Sequence, residues 1–140
     1  MSNIVSILSV GLDFDWSLAN LSHKFDVPKV RARVFKEFDE LRSAPGVECE
    51  IYYVNSDKEG LFDDFAAKLR EGHRGKPWKG VMIGWGVRGS SDMTSLFETL
   101  VNTIKDEIPQ SRIIFSGPGS TQLESVERNF PHIKRSSESI

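Results

Sequence analysis

The chain has 140 residues, of which 39% are hydrophobic and 27% charged, and its formal net charge is -2. This length suits one domain with one core, and the composition excludes a chain that is disordered throughout. A charge so close to neutral gives the surface no general attraction for nucleic acid or anionic membrane, so we expect neither as a partner.

The cysteine and histidine content points to a reducing compartment and offers no cysteine cluster or zinc spacing for a metal, and we expect no cofactor. The one cysteine, Cys49, excludes an intramolecular disulfide and suits a small buried side chain in mid-strand better than a nucleophile. The three histidines are too scattered for a zinc site. Residues 1–3 carry no basic segment typical of a signal peptide, and no apolar run approaches the roughly 20 residues that cross a bilayer. We therefore expect a cytoplasmic protein.

The first strand is well marked, but the segment after it is not. Residues 4–10 form a compact apolar run with several β-branched residues and end at Gly11, which predicts a buried strand. Residues 12–16 have no clear period and predict a long loop. Residues 17–26 fit one or two helical turns only loosely. The aromatic content of this long connection makes a lid over a crevice one hypothesis for its role.

The next elements follow clear periodic patterns. Apolar residues three and four apart predict a helix from Val27 to Leu41, which begins at an Asp-Val-Pro start signal and is stopped by residues 44–46. Residues 47–54 alternate early and become apolar later, as a strand near a sheet edge does. Residues 55–57 offer caps for a helix whose apolar stripe runs over residues 61–69.

The second half of the chain repeats the alternation. A polar, basic connection leads to a strand over residues 80–84. Apolar residues at helical spacing then predict a helix over about residues 92–107, ended by a proline. Residues 112–115 predict a fourth strand, and the capping-box sequence that begins at Thr121 predicts a last helix. Residues 132–140 are mostly polar, and we expect this C-terminal tail to fray.

This alternation predicts one α/β domain over residues 1–131, a three-layer α/β/α sandwich around a parallel sheet of four or five strands. The flavodoxin-like order 2-1-3-4 puts the switch point between the first and third strands, where α/β proteins usually bind ligands. The loops over residues 11–16 and 84–89 then face each other across one crevice. These two loops supply most of the candidate site residues.

The loop after the third strand is the first candidate site. Gly84, Gly86 and Gly89 permit positive φ and close backbone approach to a ligand, and Arg88 can hold a carboxylate or phosphate in a bidentate contact. Alternatively, the glycines only make a tight turn and Arg88 pairs with an acidic residue of the first loop. A dinucleotide fingerprint is not supported, because the glycines follow the third strand and lack the paired acidic residue.

The first loop supplies acidic and aromatic candidates. Asp13 and Asp15 can act as acid and base, or hold a metal with waters, but a solvated acidic loop or a capping role for Asp13 explains them as well. Trp16 and Trp85 can wall an apolar ligand pocket, or they can be ordinary packing residues.

Two further residues complete the candidate set. His23 can serve as a general base near neutral pH, although a surface histidine explains it better. Ser116 opens a Ser-Gly-Pro-Gly-Ser-Thr turn that can bind phosphate, although helix capping explains its residues better. The sequence has no P-loop and no nucleophile elbow. It also lacks the acidic residue that a receiver domain needs after the third strand.

Four stretches carry a resemblance to known sequences. They are residues 10–13, 83–88, 96–102 and 109–113. In these stretches the chain resembles a family of small, uncharacterised flavodoxin-like α/β proteins found in bacteria and fungi. The resemblance brings no settled activity. It implies that five positions belong together, with Trp85 in place of a smaller residue: Gly11, Asp13, Gly84, Gly86 and Arg88.

Two functional hypotheses follow. The first is a small-molecule-binding protein, specifically a cofactor-independent enzyme that acts on a small carboxylated or phosphorylated molecule in the crevice. In it, Arg88 and the backbone of residues 84–89 hold the anion, and Asp13 is the acid or base. The alternative is a non-catalytic protein-interaction or ligand-binding module, in which the two tryptophans lie in an interface. A homodimer is compatible with both.

Overall fold

The computed structural model describes residues 4–57 and 59–133, and the predictions for residues 1–3 and 134–140 lie outside them. In the described part, four parallel strands form one sheet in the order β2-β1-β3-β4. The predicted fold class and strand order are confirmed. In chain order the elements are β1 Val5–Leu12, α1 Phe14–Leu21, α2 Val27–Arg42, β2 Val47–Val54, α3 Leu61–Glu71, β3 Gly80–Ile83, α4 Trp85–Arg88, a 3₁₀ turn Ser91–Met93, α5 Thr94–Glu107, β4 Arg112–Phe115 and α6 Gln122–Asn129.

Helices cover both faces of this sheet, and each face has its own apolar cluster. One cluster joins β1 and β3 to α3 and α5 around residues such as Phe65 and Leu100. The other joins the opposite face of the sheet to α2 and α6 around Leu41 and Val126. Ile133, at the start of the predicted polar tail, is also buried in the second cluster. None of the described helices combines the length and the apolar character needed to span a bilayer.

The two faces of β1 differ in how well they are filled. Successive side chains of a strand point to opposite faces. The face toward α3 and α5 begins with Ser6 and continues with large apolar side chains up to Leu12. The face toward α2 begins with Val5 and Ile7 but continues with Ser9 and Gly11. The side chains therefore become smaller toward the carboxyl end of the strand, on one face only.

The segment after β1 is helical, so the predicted long loop over residues 12–16 is wrong. Helix α1 begins at Phe14 because Asp13 caps it: the Asp13 carboxylate accepts a hydrogen bond from the Trp16 N–H over 2.9 Å. β1 is also longer than predicted and ends at Leu12 rather than Val10. Only five residues remain between α1 and α2.

The glycine-rich segment after β3 is also more regular than predicted. Its residues form one turn of helix, α4, and continue through the 3₁₀ turn into α5. Gly84 and Gly89 have φ values of -74° and -84°, and Gly86 is likewise absent from the positive-φ residues of the described chain. These glycines therefore do not use the positive φ that the sequence permits.

Two predicted helix caps have opposite outcomes. The capping box at α6 is confirmed, with Thr121 and Glu124 each accepting a hydrogen bond from the other's backbone N–H. At α3 the prediction is wrong, because Gly60 occupies the N-cap and makes no side-chain capping bond. Residues 55–57 lie too early in the chain to cap α3.

Candidate functional site

A cavity of about 580 Å³ lies between α2 and the sheet, at the carboxyl end of β1. One wall is the small-residue face of β1 together with Ile51 and Tyr53 of β2. The opposite wall is the apolar side of α2. Residues 84–86, 89–90 and 116–118 close one side, and α1 with Phe25 closes another. The cavity therefore occupies the switch point between β1 and β3, where the sequence predicts a crevice.

Helix α2 makes this cavity because it is anchored at its ends and stands away from the sheet in the middle. Val27 and Leu41, near its two ends, are buried. Val30, Val34 and Phe38 lie on the same stripe, yet they are only partly buried and line the cavity. An amphipathic helix normally buries such a stripe against the core. The middle of α2 instead presents it to the cavity.

One end of the cavity carries polar side chains that are held by hydrogen bonds. Gln122, which is buried, accepts a hydrogen bond from the Ser9 hydroxyl over 3.3 Å and donates its side-chain N–H to the carbonyl of Val34 over 3.2 Å. The backbone N–H of Gln122 donates to Glu37 Oε1 over 3.1 Å. We call Ser9, Glu37 and Gln122 the polar floor of the cavity. All three line it.

The charge of the polar floor is carried by Glu37. Burial raises the pKa of this carboxyl, and the hydrogen bond from Gln122 and the charge of Arg33 oppose the rise. Arg33 Nε lies 3.9 Å from Glu37 Oε2, which is too far for a hydrogen bond. The Arg33 side chain is 60% exposed and that of Glu37 only 20%, so the acid lies inside and the cation lies in solvent.

An ion pair joins two segments that contribute residues to the cavity lining. Lys24, in the connection between α1 and α2, lies 2.8 Å from a carboxylate oxygen of Asp92 in the 3₁₀ turn. The side chains are 40% and 69% exposed, so this pair contributes little to stability. It does join the connection between α1 and α2 to the 3₁₀ turn, close to Phe25 and Ser90 of the cavity lining.

The structure brings together six of the eleven residues that the sequence predicts for the site. They come from the ends of β1, β3 and β4, as the predicted topology requires. The six that line the cavity are Gly11, Gly84, Trp85, Gly86, Gly89 and Ser116.

Four other predicted residues lie on or beside α1, outside the cavity lining. Asp13 caps the helix, and Asp15 is exposed in its first turn. Trp16 packs against the α3 and α5 side of the core and donates its indole N–H to Asp57. His23 is exposed in the turn that follows α1. Their predicted catalytic and binding roles stay predictions.

Arg88 is near the cavity but does not line it, because its side chain contacts other residues of the protein. Its guanidinium donates to the carbonyl of Ser116 over 3.0 Å and lies 5.0 Å from the Trp85 ring centroid and 4.9 Å from that of Phe115. Its Nε is buried and has no hydrogen-bond partner among the described residues, and burial lowers the pKa of the group. Arg88 therefore ties the turn after β3 to the end of β4, and it pairs with neither Asp13 nor Asp15.

Sequence reasoning did not identify the α2 wall or the polar floor as part of the site. The stripe of Val30, Val34 and Phe38 looks the same whether it packs on a sheet or lines a cavity. A usable signal was present in β1. There Ser9 and Gly11 interrupt an otherwise large apolar face and so leave space opposite that stripe.

Neither the possible metal ligands nor the comparisons with known proteins identify what binds at this site. Within residues 4–57 and 59–133 there is no group of three histidine, cysteine or acidic side chains able to hold a metal ion. Comparison with known protein families, with curated proteins and with solved structures finds no match for this chain.

Proposed function

We propose that this protein binds a small molecule with a large apolar part in the cavity between α2 and the sheet. The observation that carries this proposal is the partly buried stripe on α2, which faces a cavity instead of a packed core. Ligand sites in proteins are mostly apolar concave pockets with a few ordered polar groups, and the polar floor supplies such groups.

Energetics favour a bound molecule over a cavity filled with water. Each apolar side chain that leaves water on binding contributes roughly 25 cal/mol per Å² of buried apolar area. The stripe on α2 and the ring of Phe25 are already held around the cavity by the fold. A ligand would therefore gain this contribution without ordering a large part of the chain.

The narrower hypothesis, a cofactor-independent enzyme for a carboxylated or phosphorylated substrate, also stays a proposal. It assigns the anion to Arg88, whose guanidinium is engaged by the Ser116 carbonyl and two aromatic rings. It assigns acid or base chemistry to Asp13, whose carboxylate caps α1. The family resemblance, which groups these residues, is compatible with a role in shaping the cavity rim.

The alternative, a protein-interaction module, has one observation in its favour. Trp85 and Phe115 flank the guanidinium of Arg88 and are 46% and 38% exposed. Large exposed aromatic side chains are common in protein interfaces. A homodimer through these residues stays a prediction, and a shift of the mass measured by light scattering on Trp85→Ser substitution would test it.

A thermal-shift screen tests the binding proposal. Metabolites, nucleotides, phosphates, metals and small apolar compounds are each added to the wild-type protein and to Gly11→Leu, whose new side chain enters the cavity. Ser95→Leu is the matched control, since it adds the same side chain on the exposed side of α5. Compounds that raise the Tm of wild type and Ser95→Leu, but not of Gly11→Leu, support the proposal. Equal shifts for all three proteins would place binding elsewhere.

A further inference from the structure

The polar floor also indicates the chemical class of the ligand, an inference that rests on the proposed function. Among the described residues that line the cavity, the charged side chains are Lys24, Arg33 and Glu37. Their positions differ. The two cations are at the solvent edge, with side chains 40% and 60% exposed, whereas Glu37 is 20% exposed. A charge inside an apolar cavity is screened less than one at the edge, so Glu37 dominates the field that a bound molecule meets.

Within the described part of the chain, one oxygen of the Glu37 carboxylate accepts a hydrogen bond and the other has no donor within hydrogen-bond distance. Oε1 accepts the backbone N–H of Gln122 over 3.1 Å. Oε2 has the guanidinium of Arg33 at 3.9 Å, beyond hydrogen-bond distance. A ligand N–H group at Oε2 would therefore make a contact that the protein itself does not make.

The rest of the polar floor holds Glu37 in place and does not compete for that contact. The Gln122 side-chain amide makes two hydrogen bonds within the protein. Its oxygen accepts from the Ser9 hydroxyl, and its N–H donates to the Val34 carbonyl. The charges of Glu40 and Glu124 add to the negative potential at Glu37 and, with burial, raise the pKa of its carboxyl. A cation bound beside Glu37 would relieve this unfavourable environment.

We infer that the ligand carries a protonated amine on an apolar body, with the amine donating to Glu37 and the body lying along the stripe of Val30, Val34 and Phe38. The class is thus an aralkyl or alkyl amine small enough for the cavity. This differs from the carboxylated or phosphorylated molecule expected from the sequence, which would place a second negative charge beside Glu37.

Three probes that share one apolar body test the inference: phenylbutylamine, phenylbutanol and phenylbutanoate. Binding to the wild-type protein is measured at neutral pH by ligand-observed NMR titration. A charge-assisted hydrogen bond should make the amine bind about 10-fold tighter than the alcohol, and the carboxylate should bind weakest. This comparison uses wild-type protein alone, so it does not depend on the folding of any variant.

Variants then assign the preference to one side chain. Glu37→Gln keeps the shape and an oxygen that accepts the Gln122 N–H, and it should make the amine bind no tighter than the alcohol. Glu98→Gln removes the same charge from an exposed position of α5, outside the cavity lining, and it should leave the preference intact. Tightest binding of the carboxylate, or an equal amine preference in Glu37→Gln, would overturn the inference and leave the cavity as a binding site. If none of the three probes bound, the proposed function itself would fail.

Discussion

Filling the cavity from the strand side is expected to stabilise the protein. Gly11 lies at the carboxyl end of β1, and a Cβ built there meets no atom within 4 Å. Its backbone lies outside the left-handed region, so an L side chain fits without strain. In Gly11→Leu, the new side chain would lie against the stripe of Val34 and Phe38 on α2. At this position of a central strand, a larger side chain enters open space and displaces no neighbouring atom.

The size of the effect follows from the added carbon atoms. Four side-chain carbons at about 0.8 kcal/mol each give an upper limit of roughly 3 kcal/mol for complete burial. Because the cavity is open to solvent on one side, we expect about half of that. Loss of glycine freedom in the unfolded chain adds about 0.5 kcal/mol. The expected gain in the free energy of unfolding is therefore about 2 kcal/mol.

Urea unfolding followed by tryptophan fluorescence measures this change as a higher midpoint with an unchanged slope. Gly80→Ala is the matched control in the neighbouring strand, because its Cβ would lie 2.8 Å from Ile114 Cδ1 and 3.0 Å from Ile7 Cδ1. It should destabilise by about 1 kcal/mol through overpacking. A loss of about 1–3 kcal/mol in Gly11→Leu would refute the reasoning, because it would mean that α2 packs directly on the sheet in solution.

Two further predictions concern stability and thiol chemistry. Thr121→Ala removes the capping box of α6 and should cost about 1 kcal/mol in urea unfolding, whereas Ser90→Ala, whose capping bond is 3.4 Å long, should cost less; equal costs would contradict the capping argument. Burial raises the pKa of Cys49 from 9.0 to about 11, so iodoacetamide should alkylate it slowly near neutral pH. Since the unfolded thiol ionises first, stability should fall as the pH rises through that interval. Cys49→Val should lack this decline, and an equal decline in it would assign the effect to other groups.

The sheet was predictable from sequence because its signals are local and strong. The bounds of β2 and β4 match the predicted residues 47–54 and 112–115, and the alternation of strands and helices was enough to predict the order 2-1-3-4. The start of helix α1 at Phe14 was missed, and the helical turns in residues 17–26 were predicted only loosely. The helix has eight residues, of which Ser17 and Leu21 are buried, so its apolar period is too short to recognise.

The site was predictable only where topology determines it. Convergence of the β1 and β3 ends follows from strand order, and the two loops do line one cavity. The role of Arg88 depends on distances that a sequence does not contain. Its guanidinium is held between the rings of Trp85 and Phe115. The Trp85 ring in turn lies so close to Gly89 that a Cβ there would overlap it. Gly89 therefore permits the close packing of the Trp85 ring and does not use positive φ.

The proposed function requires that a small molecule with a large apolar part bind in the cavity between α2 and the sheet. An NMR titration of the isotopically labelled protein with phenylbutylamine locates the binding site, because each backbone amide reports on its own surroundings. We predict that the largest shifts fall on residues 9–12 of β1 and residues 30–38 of α2. Shifts that leave both segments unmoved and cluster around Asp13, His23 or Arg88 would contradict the claim and favour a site outside the cavity.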